Sequence, residues 1–131
     1  MLEHAKAELP NECCGLLAGV RDGDVLRVEA CYKLKNEAES PTEFFAANGL
    51  GEINAKMRAC RHEIVAIYHS HPTSEPIPSN KDLERNYYGD CVVHFIIGLN
   101  GAEPEMRGWW LLEKSSEPAK WKIDESESGT A

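Results

Sequence analysis

No stretch of this 131-residue chain approaches the ~18 consecutive apolar residues of a membrane span. The N-terminus, Met1-Leu2-Glu3-His4-Ala5-Lys6, has no basic region leading into an apolar run, so neither export nor membrane insertion is expected. Positive charge is scarce: 14 basic residues stand against 22 acidic ones, for a formal net charge of -8. That deficit argues against a nucleic-acid backbone or an anionic membrane as partner, and a neutral or basic protein is easier to accommodate. The five cysteines, Cys13, Cys14, Cys31, Cys60 and Cys91, form no CxxC pair, and an odd number cannot all pair within one chain. A reducing cytoplasm is the simplest setting. There are no internal repeats, and no G-x-S-x-G elbow surrounds Ser70 or Ser79, which argues against a nucleophilic serine.

What is present suits one domain, long enough to bury a core without staples. Residues 1–9 place Leu2, Ala5 and Leu9 on one helical face, ended by Pro10. Cys13 to Val20 is a compact apolar run closed by Asp22-Gly23-Asp24, and Val25 to Leu34 alternates as its hairpin partner. After a polar loop, Lys35 to Pro41, which carries Asn36, the positions Leu50, Ile53, Ala55, Met57 and Cys60 fit a helix ending near Arg61-His62. Glu63 to Tyr68 reads as a buried strand running directly into His69. Pro72, Pro76 and Pro78 forbid regular structure, Ser79 starts a helix ending near Gly89, and Cys91 to Leu99 and Met106 to Leu112 read as strands. The alternation gives an α/β or α+β fold. Residues 1–123 form the domain, and the acidic tail, Asp124 to Ala131, is expected to be disordered.

Several single residues read plainly. His94 is expected as a satisfied strand histidine, His4 and His62 as solvated, and Cys13-Cys14 as small apolar filling. Trp109 and Trp110 alternate faces, which would leave one exposed to a partner.

The chemistry gathers at His69-Ser70-His71-Pro72, followed by Ser79, with seven residues between it and His71, and then by Asp82. On a strand, residues i and i+2 share a face, so His69 and His71 can approach one ion while Ser70 points away. Two ordinary histidines are the alternative. Ser79-x-x-Asp82 also fits a capping box, in which hydroxyl and acid satisfy helix-start amides. Taken jointly, two imidazoles and a carboxylate can hold zinc with one position open, where bound water falls toward pKa about 7. Such a hydrolase needs a proton shuttle, for which Glu12 stands first, with Glu75 and Glu84 as rivals. Ser79 can serve as helix cap or as donor to a developing oxyanion.

These residues resemble the JAMM motif of the MPN+ metalloproteases: an upstream glutamate, H-[ST]-H-P, and, after seven residues that follow the second histidine with the proline as the first of them, S-x-x-D. Pro10-Asn11-Glu12-Cys13-Cys14-Gly15-Leu16-Leu17-Ala18-Gly19 is similar to the family's glutamate-bearing strand. The resemblance spans roughly residues 2–113. It implies zinc, one per chain, on His69, His71 and Asp82, with Glu12 as general acid/base and Ser79 steadying the tetrahedral intermediate. The implied fold is a curved mixed β-sheet with helices on both sides, similar to cytidine deaminases. Family domains usually place a short strand before the first helix, so a leading segment is expected to be missing here.

The implied reaction is cleavage of a peptide or isopeptide bond at the Gly-Gly end of a ubiquitin-like or sulfur-carrier protein. The compact chain resembles the short prokaryotic branch. The alternatives are a cell-wall or phage-tail peptidase, a RadC-like domain, and a silent MPN scaffold. Scaffolds typically lose ligands, and none is lost here.

Overall fold

Among the described residues three helices and six strands precede or follow one functional turn, and the strand order decides where that turn lies. In the computed structural model, which describes residues 1–23, 25–34, 36, 50–84, 92–112 and 115–121, α1 (Leu2–Ala7) leads into β1 (Cys14–Asp22) and β2 (Val25–Leu34). Then come α2 (Leu50–Cys60), β3 (Glu63–His71), α3 (Asn80–Glu84), β4 (Val93–Gly98), β5 (Glu105–Leu111) and β6 (Ser116–Ala119). The sheet runs β2-β1-β3-β4-β5-β6, with β3 and β4 parallel and every other neighbouring pair antiparallel. Gly23, at φ 61, supplies the left-handed turn residue between β1 and β2.

Strand alternation sends side chains to two faces, and a helix covers each. On one face Ala5 of α1 meets Cys13, Leu17, Ala66, Tyr68, Val93, Phe95 and Ile97. On the other, Ile53 and Met57 of α2 meet Leu16, Ala18, Ile67 and Val92. This is a mixed α+β sheet flanked by helices on both sides, as expected. Each fully buried aliphatic side chain, Ile96 and Ile97 among them, stabilises by about 1.5–3 kcal/mol.

Several expectations need correcting. Helix α1 buries His4 and Ala5, whereas Leu2 and Leu9 are exposed. The reason is tertiary: His4 Nδ1 lies 2.9 Å from the buried Tyr68 hydroxyl, which only an inward-facing histidine can reach. His62 is half-buried rather than solvated, and Ala55 and Cys60 of α2 face outward. Strand β6 was not foreseen, because Ser116-Glu117-Pro118-Ala119 is polar and carries a proline that suits only an edge strand. Trp109 and Trp110 are both half-buried, and the exposed tryptophan is Trp121. Cys13 and Cys14 are buried as expected, and burial pushes their thiols up to about 11 and about 12. The acidic tail, Cys91, the far end of the helix at Ser79 and most of the polar loop after β2 lie outside the described residues.

His94 is a strand histidine but not a satisfied one: its Nε2 is buried without a hydrogen-bond partner. Its imidazole is lowered from 6.5 to about 4, chiefly by burial, with the charge of His69 adding to the fall and Asp82 opposing it. His4 is also lowered, chiefly by burial. Both rings bind protons less readily in the folded chain than in the unfolded one. Their stabilising contribution is therefore complete above about 6.5 and is lost as pH falls, for His94 down to about 4. In chemical denaturation of the metal-free protein, the wild type should lose about 3 kcal/mol more than His94→Leu between pH 7 and pH 4. Identical acid slopes for the two proteins would refute this.

Candidate metal centre

The C-terminal end of β3 carries the cluster. His69 and His71 continue the face of Ile67, on the α2 side, because all three are separated by two residues along one strand. Ser70 points the other way and is fully buried, its Oγ accepting the Cys13 N–H at 2.8 Å. The histidines thus stand at the edge where the parallel pair β3 and β4 ends, with His69 beside Ile96 and His71 beside Gly98.

The loop after β3 then folds back over that edge. Pro76 is buried against Gly98, where a Cβ would lie 2.6 Å from Pro76 Cδ, so only glycine permits this approach. Trp109 of β5 donates its Nε1–H to the Pro76 carbonyl at 2.9 Å. One residue earlier, the Glu75 carbonyl lies 2.8 Å from His71 Nδ1. That bond places the neutral ring's proton on Nδ1 and leaves the Nε2 lone pair facing the cluster, the arrangement a metal-ligating histidine needs.

Helix α3 brings the carboxylate. Ser79 N–H donates to Asp82 Oδ2 at 2.8 Å, and Asp82 N–H donates to Ser79 Oγ at 3.1 Å, so the capping box forms. The same carboxylate reaches the histidines: Oδ1 is 3.2 Å from His69 Nε2, and Oδ2 is 3.2 Å from His71 Nε2. Capping and convergence are therefore one geometry, and each orients Asp82 for the other.

Does this set fit zinc? His69 Nε2 and His71 Nε2 are also 3.2 Å apart, and the ligand atoms of all three residues lie within 4.8 Å of one another. Donors at about 2.0–2.1 Å from a tetrahedral ion stand about 3.3 Å from each other, close to these separations. The electrostatics agree. Burial opposes ionisation of Asp82, but the bonds and charges of His69, then His71 and the Ser79 amide, outweigh it and hold the carboxyl well below its usual range. Burial lowers His71, yet Asp82, the Glu75 carbonyl and the charge of Glu12 raise it overall. A proton on His71 here occupies the place of a cation, and binding a metal would release it.

Glu12 lies just before β1, two residues ahead of Cys14, and is only 3 % exposed. Cys14 pairs with His69 across the β1–β3 ladder, so Glu12 comes to the same edge, where its charge acts on both His71 and Cys14. Of the rivals, Glu75 exposes its side chain and engages His71 through its carbonyl, and the Glu84 side chain lies outside the described residues. Sequence reasoning missed the support given by Gly98 and Trp109. The proline run with three breakers was the available signal that this loop needed an anchor.

Trp109→Phe keeps an aromatic ring, though a smaller one, and removes the donor to Pro76. Zinc affinity, measured by chelator competition, should fall about tenfold as His71 loses part of its orientation. An unchanged affinity would show that the loop holds itself.

The family model described as prokaryotic homologs of the JAB domain matches residues 1–112. A desampylase of Haloferax volcanii is 34% identical over 85 residues, which cover 63% of this chain and 60% of that protein. A CysO-cysteine peptidase of Mycobacterium tuberculosis is 34% identical over 117 residues, 86% of this chain and 77% of the relative. The chain thus spans less than two thirds of the first of these relatives and more than three quarters of the second. A solution structure of a protein from Desulfitobacterium hafniense matches at TM-score 0.78 and 30% identity, covering 95% of this chain and 88% of that one.

Proposed function

Because the chain belongs to the family of prokaryotic homologs of the JAB domain, we propose that it is a zinc metallopeptidase acting on ubiquitin-like or sulfur-carrier proteins. The bond cleaved is the amide or isopeptide bond after their C-terminal Gly-Gly. The observation that carries this reading is the convergence of His69, His71 and Asp82 beside the buried Glu12. The relatives' names, desampylase and CysO-cysteine peptidase, fit the same substrate class. A protein substrate also fits the net charge of -8, which disfavours nucleic acid and anionic membranes. No described helix is long and apolar enough to cross a membrane. The proposed setting is a reducing cytoplasm, which an odd number of cysteines without a CxxC pair suits.

Zinc, one ion per chain on His69 Nε2, His71 Nε2 and the Asp82 carboxylate, would supply Lewis-acid activation of water and of the scissile carbonyl. Glu12 takes the proton from the attacking water and returns it to the leaving amine. Its burial keeps that proton from exchanging with bulk solvent during transfer. Ser79 accepts the Asp82 amide through Oγ, which leaves its own O–H available to donate to the oxyanion. Cap and oxyanion donor are thus compatible. The Glu75 carbonyl, held through Pro76 and Trp109, keeps His71 in the tautomer the site requires.

The test offers Gly-Gly-ended ubiquitin-like proteins carrying C-terminal cysteine, peptide or lysine-isopeptide extensions, with zinc and with chelator, and reads release by mass spectrometry. Release after Gly-Gly that chelator stops is expected. Absence of release from every extension, or release indifferent to chelator, overturns the proposal.

A further inference from the structure

Glu12 precedes the ladder rather than lying within it, since β1 begins at Cys14. Its aim therefore depends on what holds the peptide unit joining it to Cys13. Both polar ends of that unit are taken by buried side chains. The Glu12 carbonyl accepts from Asn36 Nδ2 at 2.9 Å, and the Cys13 N–H donates to Ser70 Oγ at 2.8 Å. Ser70 adds a second bond, its own N–H donating to the Cys13 carbonyl at 3.1 Å. Asn36 is 4 % exposed and Ser70 fully buried, so neither bond competes with bulk water.

We propose that Asn36 and Ser70 are positioning residues for Glu12, a pair of buried side chains that clamps the Glu12–Cys13 peptide from its two ends and so aims the carboxylate. A peptide unit is planar, so holding its carbonyl and its N–H fixes the plane and, with it, the place of the Glu12 Cα from which the side chain departs. The topology supplies both partners. Leu34, at the end of β2, pairs with Cys14 at the start of β1, which brings Asn36 to Glu12. Ser70 comes from the position between the two histidines, buried on the opposite face of the sheet, so metal ligands and base are referenced to one strand. The inference rests on the reading of Glu12 as proton shuttle.

The test uses three variants of the full chain: Asn36→Ala, Asn36→Asp, which keeps the shape but replaces the amide donor with an acceptor, and Ser70→Ala from the opposite side. On the cleavable Gly-Gly substrate, kcat should fall roughly 10–100-fold with KM and zinc stoichiometry unchanged. In a Glu12→Gln background, Asn36→Ala should cost no more than about a further twofold, because a clamp has no effect once its object is gone. Exchange of the Cys13 amide in the metal-free protein should accelerate about tenfold or more in Ser70→Ala. In all three variants the Glu12 carboxylate carbon resonance should move.

Unchanged kcat in the folded variants, loss of zinc in step with kcat, or an equal loss in the Glu12→Gln background would each overturn the clamp. If the wild type cleaves nothing, the proposed function fails separately. The Cys13 exchange rate and the Glu12 resonance then decide the clamp alone: movement of both supports it, and constancy of both in all three variants overturns it.

Discussion

His71→Ala should lose zinc and hydrolysis together. The His71 ring meets three groups at once: its Nε2 lies 3.2 Å from both His69 Nε2 and Asp82 Oδ2, and its Nδ1 engages the Glu75 carbonyl. Removing it leaves one imidazole and one carboxylate, too few for a four-coordinate site that keeps one position for water. It also frees the Glu75 carbonyl, so the proline loop loses one of its contacts with β3. Zinc content after dialysis should fall from about one per chain to background. The rate should fall roughly 10³-fold or more, the size expected when Lewis-acid stabilisation of several kcal/mol is withdrawn. Elemental analysis and substrate release by mass spectrometry read the two quantities independently. A variant that retains stoichiometric zinc would show that the ligand set is wrong, whatever its activity.

The contrast between His71 and Asn36 shows how much of this site can be read from sequence. His69 and His71 are visible because strand alternation is a local rule: two residues apart means one face. Ser79 and Asp82 are visible for the same reason, as a three-residue spacing at a helix start. In the structure the cap forms, and the same Asp82 carboxylate that accepts from the Ser79 amide faces the histidines. Nothing local marks Asn36. It is one polar residue in a polar loop, and its significance comes from Glu12, which the sheet brings beside it. Trp109 and Gly98 belong with Asn36, because their partner is the Pro76 loop and no periodicity records which loop a strand will meet.

The same distinction explains the fold. The long apolar runs that became β1, β3 and β4 were evident, while the face of α1 was misjudged, because Tyr68 offers His4 a buried partner that helical spacing cannot anticipate. Strand β6 escaped notice because an edge strand carrying Pro118 gains its order from β5 rather than from its own composition.

Glu12→Gln should separate chemistry from metal binding, the reverse of the outcome at His71. Glu12 is on the β1 side of the cluster, whereas the three converging residues come from β3 and α3, so its removal withdraws no ligand. Glutamine keeps the size and the hydrogen-bonding shape, which spares the clamp on the Glu12–Cys13 peptide, since that clamp holds backbone atoms. What glutamine cannot do is accept a proton from water and deliver it to a departing amine. Zinc stoichiometry should therefore stay at the wild-type value while kcat falls roughly 10²–10⁴-fold and KM changes little. Because the charge of Glu12 is among the influences that raise His71, and attracts a divalent ion more strongly than a proton, its loss should weaken zinc binding slightly rather than help it, without emptying the site at saturating zinc. Zinc titrations across pH, run beside single-turnover assays, check both consequences. Full turnover in Glu12→Gln would move the proton shuttle to another residue. Loss of zinc would instead make Glu12 part of the metal's own support, a result that the separation of strands in this sheet argues against.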